Sequence, residues 1–126
     1  MMEYSSGRRA NRHRGEVEAV FDGERRILCL TLGALAELET AFGAEGLVDL
    51  GRRLSSGKLK ARDLVIIVAA GLRGGGNIFE DDEVAGMCLD GGVAGYARLV
   101  SDLLKVTFNG GDTVPAEEVK SVPDPS

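Results

Sequence analysis

Four groups of residues in this chain have types and spacings that could do chemistry. Gly71-Leu-Arg-Gly-Gly-Gly-Asn77 joins an arginine to three consecutive glycines. That is the composition of a loop whose backbone amides cradle a phosphate while a guanidinium clamps its charge. Glu80-Asp-Asp-Glu83 sets four carboxylates in a row, hard ligands suited to a divalent cation. Cys29, Cys88 and the single histidine, His13, are the only thiols and imidazole, as metal ligands or as nucleophiles. Arg8, Arg9, Arg12 and Arg14 form a basic arm of the kind that grips nucleic-acid phosphates.

Each group meets a plainer reading. A phosphate loop needs a Lys-Ser or Lys-Thr pair at the mouth of a helix that follows a strand, and a dinucleotide loop needs GxGxxG. Neither is present, and the glycines follow a helical pattern, so they read as a helix C-cap and a loose hinge. Carboxylates crowded into a first helical turn complement the helix dipole, and no histidine or further acid flanks them at ligand spacing. The cysteines sit among apolar neighbours without CxxC spacing and read as two buried free thiols. His13 lies in the arm, and no GxSxG or Cys/His arrangement exists. No catalytic, metal or cofactor-binding residue is assigned, and the chain is not expected to be an enzyme.

What must position these residues is one small domain. The 126 residues suit a single core, and with 44% apolar residues but no Trp that core must be built from Leu, Val, Ile and Ala. No apolar run is long enough to span a bilayer, and no secretory segment opens the chain, so a cytoplasmic protein is expected. The net charge of −5 is unevenly spread. Residues 1–14 read as a basic flexible arm. Residues 111–126, with Asp112, Glu117, Glu118, Asp124 and three prolines, read as an acidic flexible tail. Between them, 15–110 is expected to be one globular unit.

The pattern predicts a mainly α (α+β) fold, an N-terminal β-hairpin followed by a bundle of four to five helices. Asp22-Gly23 between two alternating runs is a type I′ hairpin signal. A two-residue loop pairs Phe21 with Glu24 and puts Val17, Ala19, Phe21, Leu28 and Leu30 on the core face. The opposite face carries Glu16, Glu18, Val20, Arg25, Ile27 and Cys29. A lone hairpin is marginal in water, so the apolar part of that face, Val20, Ile27 and Cys29, is the candidate partner surface. A helix of this chain, a partner, or a second copy in a homo-oligomer would cover it.

Helices are expected from Leu32 to Phe42, capped by Thr31 and stopped at Gly43, and from Leu47 to Leu54. Ala61 to Leu72 is apolar in nearly every direction. It reads as the central helix, with a buried strand as the other reading. Further helices are expected over about 80–89 and Val93–Phe108. The last carries Tyr96, Leu99, Val100, Leu103 and Leu104 as its stripe, while Arg98, Asp102 and Lys105 lie off it and Asp102 reads as solvated.

Three of these segments together resemble a known family. "NRHRGEV" leading into a hairpin, "LTLGALAELETAFG" and "RDLVIIVAAGLRGGG" resemble a small tail-module protein of gene transfer agents, phage-like particles encoded by certain bacteria. "LDGGVAGYARLVSDLL" resembles the family's terminal helical part. The family is grouped with phage tail assembly chaperones and is also labelled tail-tube-related. The resemblance implies non-enzymatic work, keeping a tape-measure protein soluble and helping tail-tube proteins polymerise around it, or a structural subunit that stays in the particle. It supplies no catalytic residues. A nucleic-acid-associated adaptor using the arginine arm is the competing reading, disfavoured because the chain as a whole is acidic and the arm lacks interleaved aromatics.

Overall fold

The computed structural model describes residues 9–109. Arg8 and the acidic segment 111–126 lie outside the described residues.

Strands β1 (Glu16–Phe21) and β2 (Glu24–Cys29) form an antiparallel hairpin in the expected register, Phe21 opposite Glu24 and Val17 opposite Leu28. Asp22 and Gly23 have φ of 53° and 83°, the two positive angles a type I′ turn demands. Val17, Phe21 and Leu28 are buried. Arg26 shares their face opposite Ala19, and its guanidinium lies 5.0 Å from the centre of the Phe79 ring.

Helix α1 (Leu32–Phe42) starts where the Thr31 hydroxyl accepts the Ala34 amide proton at 3.1 Å, and it stops at Gly43 with φ 65°. It buries Ala34, Leu35 and Leu38. Helix α2 (Leu47–Leu54) turns Leu50 and Leu54 inward. The segment open to two readings is helix α3 (Ala61–Gly74), and Ile67 through Leu72 are all buried within it. It packs against α1, β2, α4 and α5 and is the centre of the core.

Helix α4 is shorter than the pattern suggested, ending at Ala85 rather than near Leu89. Gly86 caps it, and the chain extends so that Leu89 pairs with Phe21 as an antiparallel bridge. The Asp90 amide donates to Val20 and the Asp22 amide to Cys88, at 3.0 and 2.8 Å. The Asp22 carboxylate in turn accepts from the Cys88 amide at 2.9 Å. These bonds hold Cys88 by its backbone and leave its side chain in solvent, which corrects the expectation of a buried thiol; Cys29 is half-buried, and both are free. Helix α5 (Gly92–Phe108) buries Gly95, Leu99, Val100, Leu103 and Val106.

The glycine run is not a loose hinge. In a two-residue hairpin Phe21 and Glu24 are a hydrogen-bonded pair, so residues 27 and 29 turn their carbonyls to the outer edge of β2. The C-terminus of α3 lies directly on that edge. A β-carbon at Gly74 would fall on the carbonyl oxygen of Cys29, and one at Gly75 on that of Ile27. Gly71 is also hemmed in, with Leu103 and Leu28 side chains at 3.2 and 3.4 Å from its missing β-carbon. The Asn77 side-chain amide then donates to the Ile27 carbonyl at 2.9 Å. Gly74→Ala and Gly75→Ala should each cost at least about 2–3 kcal/mol, because backbone cannot yield as a side chain does. Gly86→Ala, whose β-carbon would meet nothing nearer than 3.7 Å, should be within about 1 kcal/mol of the parent. Urea unfolding of the three variants checks this.

Candidate partner surface

The arginine of the glycine run is already engaged. Arg73 donates to the Phe79 carbonyl and the Asp81 carboxylate from Nη1, at 2.7 and 3.1 Å, and to Glu37 from Nη2 at 2.8 Å. It ties α1, α3 and the start of α4 together, so the groups that would clamp a phosphate are spent within the fold. The acidic run is equally local. Glu83 accepts the Glu80 amide proton at 2.8 Å, and Asp81 receives Arg73. Among the described residues no three His, Cys, Asp or Glu side chains are placed to hold a metal ion. No helix among them is long and apolar enough to cross a membrane.

The hairpin's outer face has a different character. The register places Glu16 across from Cys29, Glu18 across from Ile27 and Val20 across from Arg25. Val20, Ile27 and Cys29 are each half-buried. Residues 9–15 close one end of the face. A 3₁₀ turn over Arg12–Arg14 ends at Gly15, and the Cys29 thiol donates to the Arg14 carbonyl across 3.7 Å. Burial there, helped by the nearby Glu16 charge, raises the Cys29 pKa above the ordinary thiol value, which keeps it protonated and unreactive. Glu16 accepts the Asn11 amide proton at 2.9 Å, and Glu18 accepts that of Ala10 at 3.0 Å. Glu18 is also paired with Arg9 at 3.3 Å and Arg25 at 3.6 Å.

Beside Val20 a groove of about 660 Å³ runs between β1 and α5, lined by Glu18, Val20, Leu89, Arg98, Asp102 and Lys105 among others. Residues 16, 18 and 20 point their backbone groups out of the hairpin on this side. Glu16 is met by Asn11 and Val20 by Asp90. Among the described residues, the Glu18 amide and carbonyl have no backbone partner beyond the strand.

Of the four arginines read as a basic arm, the structure describes three, and they lie against the domain. Arg12 makes a two-pronged bond to Asp102 on α5, at 3.0 and 2.7 Å. Arg9 reaches Glu18, and Arg14 is exposed. Asp102 is therefore engaged rather than merely solvated. Nothing in the local sequence signals a pair 90 positions apart. Arg26 and Asn77 were invisible for the same reason, since their roles depend on the packing of α3 on β2.

Comparison with known families gives a match over residues 14–110 to the family described as "Phage tail tube protein, GTA-gp10". The chain belongs to this family. No curated protein and no solved structure matches it. Membership gives the protein a tail-module role, structural or in assembly, and a place among other tail proteins of a phage-like particle.

The ion pair gives this tail protein a defined pH response. Arg12 holds the Asp102 carboxyl below its usual pKa, by hydrogen bonds first and by charge second. A depressed folded-state pKa adds stability that is present above the unfolded value and lost as pH falls through the folded one. Both side chains are about two-fifths exposed, at 41% and 40%, so solvent screening keeps the effect small. Asp102→Asn should lower stability by about 0.5–1 kcal/mol at pH 7. The gap from the parent should close progressively below about pH 4, as read from unfolding curves at several pH values.

Proposed function

We propose that this protein acts without chemistry of its own, as an assembly chaperone that holds tape-measure and tail-tube proteins during tail building. We assign its working contact to the outer hairpin face, Val20, Ile27 and Cys29, together with the groove beside Val20. The observation that carries the reading is the half-covered apolar pair Val20 and Ile27 next to the unfilled backbone positions of Glu18. Apolar side chains beside an open strand edge suit an extended partner segment, which gains main-chain hydrogen bonds and a place for alternate side chains. Two half-buried side chains leave at most on the order of 100 Å² exposed, worth no more than about 2–3 kcal/mol. A contact of that size is weak and reversible, as transient holding requires.

A second reading, a tube subunit retained in the particle, is favoured by the family's own description. Quantifying the protein in purified particles separates the two: a chaperone is absent or in trace amount, a subunit stoichiometric. The nucleic-acid reading is weakened by the carboxylates that already hold Arg9 and Arg12.

Ile27→Lys tests the surface. Glu18 sits directly opposite, so a lysine there gains a partner instead of a like charge. The variant should melt within a few degrees of the parent, co-purify poorly with tape-measure and tube proteins, and yield particles with incomplete tails. A folded variant with normal tails would remove the hairpin face from the mechanism. Intact tails after deletion of the whole gene would remove the assembly role.

A further inference from the structure

We propose that the groove between α2, the start of α3 and α5 is the docking site of the chain's own acidic C-terminal segment, residues 110–126. The groove measures about 490 Å³ and is lined chiefly by Leu54, Leu59, Leu64, Val100, Leu104 and Phe108. Phe108 forms one wall, its ring 3.6 Å from where a Gly51 β-carbon would stand, and it remains 38% exposed. A groove of this composition bordered by a partly exposed ring is an apolar surface in want of a cover.

Three features commit it to this occupant. The first is where the chain leaves the fold. Helix α5 ends at Phe108, and Phe108 and Asn109 are themselves part of the groove, so the 17 residues that follow start at its mouth. Their full extension of about 55 Å exceeds any path across it. A tethered segment competes at an effective concentration in the millimolar range, which favours it over a second copy.

The second is charge. Lys105 lines the groove, and Lys58 and Lys60 flank Leu59. All three are exposed and none forms an ion pair among the described residues, Lys105 feeling Asp102 only at longer range. The C-terminal segment carries Asp112, Glu117, Glu118 and Asp124 against one lysine, Lys120. The third is apolar content. Val114, Ala116, Val119 and Val122 offer small side chains to a groove of leucines. Pro115, Pro123 and Pro125 restrict the segment before it binds, which lowers the entropy lost on docking. This inference is independent of which tail role the protein performs.

Amide NMR spectra of the full chain test it, comparing the parent with the variant Asp112→Asn, Glu117→Gln, Glu118→Gln, Asp124→Asn. Docking predicts shift differences at the groove, over residues 54–59, 64 and 100–109, unchanged over about a tenfold range of protein concentration. Lys58→Glu with Lys105→Glu in an otherwise parental full chain should release the segment too, and should shift Val114, Val119 and Val122 toward the values they take in the neutralised variant. Differences confined to residues beyond 109 would overturn the proposal. Groove shifts that grow with concentration would also overturn it, because the occupant would then be the segment of a neighbouring copy.

Discussion

At the outer edge of β2 the carbonyl oxygens of residues 27 and 29 occupy the space where β-carbons of residues 75 and 74 would stand. That contact joins the helical half of the protein to its hairpin. A helix end normally approaches a strand through side chains, leaving both backbones some distance apart. Here Gly74 and Gly75 remove that spacer, and the Asn77 side chain donates a further hydrogen bond to the carbonyl of Ile27. The edge of β2 is sealed, and Leu28 and Leu103 of α5 pack together against Gly71 of α3. The position of β1, and so of Val20 and the groove beside it, follows from this arrangement.

Local patterns foretold the elements because local physics makes them. Alternation and an Asp-Gly turn specify a hairpin, Thr31 and Gly43 bracket α1, and a continuous apolar stretch becomes the most buried helix. The sequence reading faltered where the deciding partner was distant. Helix α4 stops early because Leu89 is drawn into pairing with Phe21, a preference no window around residue 89 contains. The glycine run was assigned conformational freedom, whereas its value lies in the absence of side chains against a strand about 46 positions earlier in the sequence. Asp102 looked solvated because Arg12 is at the other end of the chain.

The candidate surface was legible in part, for the same reason. The register alone sorted Val20, Ile27 and Cys29 onto one face of the hairpin. It did not foretell that residues 9–15 would fold over the Cys29 end, or that Glu16 and Glu18 would spend their carboxylates on the backbone amides of Asn11 and Ala10. On the hairpin's outer face these bonds leave Val20 and Ile27 as the half-exposed apolar pair. A protein that must meet partners without aggregating gains from so limited an apolar contact face.

The bridge between Phe21 and Leu89 has a kinetic corollary. During synthesis the hairpin leaves the ribosome early and can form within microseconds of its turn being free. The segments that cover the β2 edge and the turn end of the β1 edge, around residues 74–77 and 88–90, are translated tens of residues later. At about 5–20 residues per second that delay lasts seconds. For that interval both strand edges stand open on a nascent chain, where neighbouring chains on one message can pair with them. Slowing or pausing translation between residues 30 and 74 should therefore raise misassembly more than a pause after residue 90.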